Sequence, residues 1–398
     1  MPEHKAPARF ILTEPQHEVN SIEALMEDFS EQVALGIKAM LESCLESEML
    51  EQLQTMWGKH NPDRVDYRNG YRYRSLQTRV GLIKELRVPR SREGTYQSRV
   101  LPRYKRFEPG VEDLVRESFL AGISTRRVGE VLGPMMGGPI SAGTVSEITK
   151  TLDAQVQQYH QRELPDDVKY LFADAVYITT KGGAKAARKA VLTVYVIKTN
   201  GEKELLDFRV ADSESQAQWE SFLNHLYNRG LKGNQMKLVV SDGGTGLQAA
   251  LQMVYGHVKR QRCWVHKLRN VMGRLRVKQR SACLRQLRAV YQANTETEAR
   301  AKYQTWAAAW RGEAPEAVAC VEKDLEELLS FFAEGINMAI KLRTTNAIER
   351  CFREVRRRTK PMSCFNNRES CARIIYAIFN HQNGRWKGHP IPEVTHKA

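Results

Sequence analysis

At 398 residues, with 42% apolar and 8% aromatic side chains, the chain can bury a sizeable core and build two or three domains. Its 61 Lys and Arg against 46 Asp and Glu leave a formal charge of +15, which points to a polyanionic partner, nucleic acid before membrane. No run approaches the roughly 18 apolar residues of a membrane helix, the charged start MPEHKAPARF carries no signal core, and seven irregularly spaced cysteines fit free thiols in a reducing cytoplasm better than a disulfide framework.

From Ser21 to Leu53, residues Ile22, Leu25, Met26, Phe29, Val33, Ile37, Met40, Leu41 and Leu45 recur at three- and four-residue spacing, with glutamates between them. This predicts one long amphipathic helix in an N-terminal region, 1–57, whose apolar face serves packing on its own chain or dimerisation equally well. The charge then inverts: from Lys59 to Arg106, 14 Lys and Arg stand against 4 acids, interleaved with Tyr67, Tyr71, Tyr73, Tyr96 and Tyr104. Basic side chains neutralise phosphates and aromatic rings stack on bases or sugars, so 58–110 is expected to be a basic, β-rich DNA-binding region. Within it, Asn69 beside Arg68, together with Arg72 and Arg74, are candidate DNA contacts. A solvated basic face is the plain alternative.

VEDLVRESFLAG, STRRVGEVLG and SAGTVSEITKTL follow, with Ser124 and Ser141 placed as helix N-caps. Two short helices and a capped third make 111–165 a helix-turn-helix-like module, with Arg126 and Arg127 as candidate DNA contacts. A simple three-helix packing unit has the same pattern.

From Lys169 the period changes to strands. KYLFADAVYIT is one; KAVLTVYVIK and EKELLDFRV flank Thr199-Asn200-Gly201 as a hairpin; a helix around Gln218 to Tyr227 leads into MKLVVSD; the GLQAALQMV helix precedes HVKRQRCWVH, read as a short strand. Three strands, helix, strand, helix, strand is the order of the ribonuclease H-like fold, a mixed α/β sheet with helices on its faces. The catalytic core would then run over 166–266, be interrupted by an all-α insertion at 267–343, and resume with C-terminal helices at 344–398.

In that topology Asp174 in FADAV and Asp242 at the end of the later strand lie on neighbouring strands, and Glu349 in TTNAIER comes from a helix packed across the same edge. Three hard oxygen donors can hold two Mg²⁺ ions about 3.5 to 4 Å apart, with Mn²⁺ as a substitute, to activate a water or 3′-hydroxyl and stabilise the leaving oxygen of a phosphodiester. Singly each acid has a structural reading: a sheet-edge Asp at position 174, an N-cap at Asp242, a capping box from Asn346 to Glu349. Cys263 and His266 in RCWVH form half a zinc site with no second pair to complete it, so a structural or substrate-positioning role is preferred. Asn346, Arg350, Arg353 and Arg357 flank Glu349 as candidates to grip the scissile strand.

With these residues in view, the chain resembles the bacterial Mutator-type insertion-sequence transposases, from DYRNGYRYRSLQTRVGLIKELRVPRSREGTY through FADAVYI, VVSDGGTGLQAAL and QRCWVHKLRNV to TTNAIERCFREVRRRTK. The resemblance implies an acidic triad at Asp174, Asp242 and Glu349, and a Cys/Asp-x-x-His signature at Cys263 and His266. It also implies Mg²⁺ dependence, double-stranded DNA partners in the form of terminal inverted repeats and target DNA, and a homodimer or higher assembly working at the bacterial nucleoid in the cytoplasm. The sequence departs from the family pattern at Gly244 and in KPMSCFNN. A ribonuclease H-like structure-selective nuclease, or a domesticated DNA-binding protein without chemistry, are the rival readings.

Overall fold

A computed structural model describes residues 22–54, 65–121, 123–182, 185–334, 336–359, 365 and 367–391. The start of the chain and, apart from Phe365 and Asn367, the segment KPMSCFNN lie outside them. The chain divides into two compact units, Met1–Lys150 and Thr151–Ala398.

In the first unit the amphipathic pattern produces one helix, α1 (Ile22–Leu53), and the tyrosine-rich basic run produces a hairpin, β1 (Arg68–Thr78) and β2 (Gly81–Ser91). The C-terminal half of α1 packs on the hairpin: Leu45 is buried with Leu76, Ile83, Leu86, Val88 and Leu101. A side chain of that size contributes about 1.5–3 kcal/mol when fully buried. Towards the other end Ile22, Met26 and Phe29 remain exposed, as does Met40. The glutamates between the apolar positions also have partners. Glu46 pairs with Arg68, Glu42 accepts from the Arg87 amide at 2.9 Å, and Glu48 accepts from the amides of Arg99 and Val100 at 3.0 and 3.2 Å. Part of the basic run is therefore neutralised at home.

Three helices complete this unit: α2 (Pro109–Leu120), α3 (Thr125–Met135) and α4 (Ala142–Lys150). Ser124 and Ser141 cap α3 and α4, accepting from the amides of Arg127 and Thr144 at 3.3 and 3.1 Å. Gly129 allows close approach of the α3 backbone to the start of α4, since a Cβ there would lie 1.9 Å from the Ile140 carbonyl oxygen.

The second unit opens with α5 (Leu152–Gln161) and continues as β3 (Val168–Gly182), β4 (Lys185–Lys198), β5 (Lys203–Ala211), α6 (Gln216–Asn228), β6 (Leu238–Ser241), α7 (Thr245–Tyr255) and β7 (Lys259–Arg262). The five strands form one mixed sheet in the order β5-β4-β3-β6-β7, in which β3, β4 and β5 are antiparallel neighbours and β6 and β7 run parallel to β3. One face buries Leu171, Ala173 and Val194 against Trp219 and Phe222 of α6 and Leu247 and Leu251 of α7. The alternate residues face the other way: the Phe172 ring meets Tyr195, which meets Trp386, with centroids 5.1 and 5.5 Å apart.

A helical stretch follows: α8 (Trp264–Met272), α9 (Val277–Tyr291), α10 (Glu296–Trp310), α11 (Pro315–Glu322), α12 (Leu325–Leu329), a 3₁₀ turn at Ser330–Ala333, and α13 (Ile336–Leu342). Then come α14 (Asn346–Thr359) and α15 (Arg368–Trp386). The expected strand through HVKRQRCWVH is only four residues long; Cys263 ends the extended segment and Trp264 and His266 are already on α8.

Candidate active site

The parallel register of β3 and β6 sets Ala173 opposite Ser241, so Asp174, the next residue on β3, and Asp242, the residue that follows β6, stand side by side. Asp174 lies on the central strand of the sheet and is 7% exposed, which is no place for a solubilising edge residue. It shares its parity with Tyr170 and Phe172 on β3. Asp242 does not cap α7. Its Oδ1 accepts from the Gly244 amide at 2.9 Å, an Asx turn, and Gly243 at φ +89° supplies the left-handed step that turns the chain off the strand.

Glu349 lies on the first turn of α14, its amide donating to the Thr345 carbonyl at 3.1 Å. Asn346 is the first residue of α14. A Glu349 carboxylate oxygen lies 3.8 Å from Nε2 of His266. That imidazole projects from the first turn of α8, a position not foreseen when RCWVH is read as strand.

The electrostatics bind these groups into one cluster. Burial pushes the Asp174 carboxyl up to about 7; His266 opposes that rise, and the charges of Asp242 and Glu349 add to it. Burial alone would lower the pKa of His266, but the Cys263 sulfur and the carboxylates of Asp174 and Asp242 outweigh it and hold it at about 9. The Nδ1 of His266 is buried and has no partner in hydrogen-bond geometry. Burial also works against the Cys263 thiolate, yet His266 and Thr345 overcome it and keep the thiol below its ordinary range.

Cys263 joins the pieces. Its amide donates to the Ser241 carbonyl at 2.8 Å, beside Asp242, and its sulfur accepts from both the amide and the hydroxyl of Thr345, four residues before Glu349, at 3.3 and 3.4 Å. The Trp264 amide adds a bond to the Arg343 carbonyl at 3.0 Å. The sulfur thus ties the end of the strand to Thr345, beside the start of α14.

Sequence reasoning missed one acid. Glu214, between β5 and α6, is half-buried; burial and the nearby charge of Asp242 raise its pKa, while Tyr177 and His266 oppose the rise. The available signal was Gly246: a Cβ there would come within 2.6 Å of the Glu214 carbonyl oxygen, so glycine lets the 214–216 segment reach the start of α7.

Three carboxylates of hard oxygen character, one of them buried and pushed towards the neutral form, suit a divalent cation in chemistry. Among the described residues, however, no group of three His, Cys, Asp or Glu side chains is arranged closely enough to hold a metal as it stands.

The expected DNA contacts separate. Asn346, Arg350 and Arg353 line a cavity of about 740 Å³ with Phe172, Tyr195 and Trp386, whereas Arg357 pairs with Glu354 at 3.0 Å. In the first unit Arg126 and Arg127 are exposed at the start of α3, Asn69 is exposed, and Arg72 lines a cleft. Arg74 lines the same cleft, and its guanidinium donates to the carbonyls of Pro102, Arg103 and Lys105, fastening that loop to β1.

The family model described as "Transposase, Mutator family" matches residues 12–389. The transposase for insertion sequence element ISRM5 of Rhizobium meliloti (strain 1021) is 35% identical over 350 residues, covering 88% of this chain and 87% of that protein. The transposase for insertion sequence element IS256 in transposon Tn4001 of Staphylococcus aureus is 30% identical over 345 residues, covering 86% and 87%. Among solved structures, a Drosophila P element transposase strand transfer complex matches 69% of this chain and 79% of its own with 14% identity and a TM-score of 0.30, too remote to bear on the fold.

Proposed function

Because the chain belongs to the Mutator family of transposases, we propose that it binds the terminal inverted repeats of an insertion sequence, cleaves the DNA there, and joins the freed 3′-hydroxyl to target DNA, with Asp174, Asp242 and Glu349 as the metal-binding acids. The observation that carries this reading is the cluster of Asp174, Asp242, Glu349 and His266, drawn from a central strand, its parallel neighbour and two helices. We read the sheet as ribonuclease H-like; its order, with three antiparallel strands followed by two parallel to the first, supports that. The helices between β7 and α14 are then an insertion, and α2 to α4 a helix-turn-helix-like module.

Bound Mg²⁺, or Mn²⁺ in its place, would polarise the attacking and leaving oxygens of the phosphodiester. The protein's own part is to hold the carboxylates. β3 and β6 fix Asp174 and Asp242 in register, and the Cys263–Thr345 bonds set the start of the helix that bears Glu349. His266, cationic near neutral pH, would offset the charge of the acids before a cation arrives and could donate to a phosphate oxygen of the bound DNA. In joining, the 3′-oxygen forms a bond to the target phosphorus as that phosphorus releases its own 3′-oxygen, which takes a proton. The number of phosphodiester bonds is conserved, so no nucleotide energy source is required. The exposed apolar residues of α1 support a homodimer or higher assembly, acting on the nucleoid in the cytoplasm.

The test is amide substitution. Asp174→Asn, Asp242→Asn and Glu349→Gln are each expected to abolish cleavage and joining while element-end binding persists. Near wild-type cleavage in Mg²⁺ by all three would overturn the assignment.

A further inference from the structure

The hairpin, the 101–107 segment and the start of α4 enclose a cleft of about 780 Å³ within the first unit. Arg72, Arg103 and Arg106 line it, Tyr104 stands at it 83% exposed, and the N-terminus of α4 closes it at Ser141 and Thr144. No acidic side chain is among the described residues lining it. This contrasts with the other side of the hairpin, where the glutamates of α1 meet Arg68 and Arg87. The Nε of Arg72 is enclosed without a hydrogen-bond partner. Burial lowers the pKa of Arg74, and so do the like charges of Arg72 and Arg106: positive charge is concentrated here without internal compensation.

The walls are fixed. Gln77 on β1 donates from its amide nitrogen to the carbonyls of Met136 at 2.9 Å and Gly138 at 3.1 Å, clamping the α3–α4 turn to the hairpin. Gly137, at φ +71°, brings that turn to within contact of the Leu82 amide, where a Cβ would sit at 3.0 Å. Arg74 holds the opposite wall through its three carbonyl bonds. Ser141 serves the Thr144 amide, leaving the earlier amides of α4 for a ligand, and the helix dipole adds positive potential.

We propose that this cleft is a binding site for the phosphodiester backbone of duplex DNA, with Arg72, Arg103 and Arg106 and the start of α4 contacting phosphates and Tyr104 lying against a sugar or base. The proposal rests on the transposase reading and deepens it, by locating the backbone-gripping surface of the N-terminal unit between hairpin and helix. Three cations and a helix N-terminus facing one fixed channel suit a row of phosphates spaced along a strand better than a single small anion.

The experiment uses the full chain in EDTA with a labelled random-sequence 30-base-pair duplex, and a duplex carrying the ends of the element that encodes the chain. Changing Arg72, Arg103 and Arg106 together to Ala should lower the magnitude of the log K against log salt slope by about 2.7, and weaken binding on the order of 10²-fold near 0.15 M salt. Because that variant could fold poorly, Ser141 supplies an independent pair. Ser141→Asp keeps a good N-cap while placing a negative charge in the cleft, and should weaken binding on the order of tenfold; Ser141→Asn keeps the cap without the charge and should bind as wild type. If Ser141→Asp binds both duplexes with wild-type affinity and salt slope, the cleft is not the site. Wild-type protein that shows no preference for element ends, and that joins no DNA when Mg²⁺ replaces the EDTA, would instead count against the transposase reading, whatever the cleft variants do.

Discussion

The sulfur of Cys263, at the end of the last strand, accepts hydrogen bonds from both the amide and the hydroxyl of Thr345, four residues before Glu349. Thr345 is fully buried, so neither donor can turn to water instead. Cys263→Ala leaves both unsatisfied, a cost of about 1–3 kcal/mol, and frees the start of the helix that bears the third acid. The expected result is a melting temperature lowered by several degrees, joining slowed tenfold or more, and DNA affinity unchanged. Cys263→Ser, which retains an acceptor, should recover most of both losses. An alanine variant that melts and joins like wild type would show that the contact positions nothing.

Asp174 gives the metal-free protein a pH dependence of known sign. Its folded pKa, about 7, lies above the ordinary value of 3.8, mainly through burial. The unfolded chain therefore ionises first, and stability falls as pH rises from about 4 to about 7. The upper bound is on the order of 4 kcal/mol for a shift of that size. Asp174→Asn removes this penalty: its melting temperature should gain on wild type between pH 4.5 and 7.5 in EDTA. Adding Mg²⁺ should narrow the gap by stabilising only the carboxylate form. A gap that does not change with pH would contradict the burial of this carboxyl.

The basic stretch after Cys263 divides into two kinds of cation. Lys267 is 4% exposed, paired with Asp324 and donating to the Cys320 carbonyl at 3.0 Å. Arg274, Arg276 and Lys278 are exposed. Lys267→Met strands Asp324, for which Arg262 at 3.7 Å is a partial substitute, and should cost about 3 kcal/mol in a urea melt. Arg274, Arg276 and Lys278 changed together to Ala should leave the melt unaltered while reducing joining and protection of the flanking duplex, if these helices clamp DNA. Unchanged footprints and yields would make those three cations a solvated surface.

Periodicity made the long first helix, the order of strands and helices and the two Ser caps legible, because each depends on neighbours within a turn or two. Asp174 and Asp242 could be paired because parallel register follows from strand order. What escaped depends on contacts distant in sequence. Thr345, just before the helix that bears Glu349, reaches Cys263 across 82 residues. His266 falls on a helix because the strand stops at Arg262, a boundary that the alternation in HVKRQRCWVH does not mark. Arg74 reads as one more cation in a basic run until the carbonyls of the 102–105 loop are seen around its guanidinium. Glu214 comes near Asp242 where Gly246 lets the 214–216 segment reach the start of α7.

The most direct test of the central claim is a strand-transfer assay in Mg²⁺ without nucleotide, using a duplex that presents the element's end with a free 3′-hydroxyl, and a plasmid target. Transposition through Asp174, Asp242 and Glu349 predicts that the labelled 3′ end becomes covalently joined to plasmid by the wild-type protein and not by Glu349→Gln, with both proteins binding the end duplex alike. Hydrolysis of DNA with no joined product, or joining that survives the loss of Glu349, would contradict it.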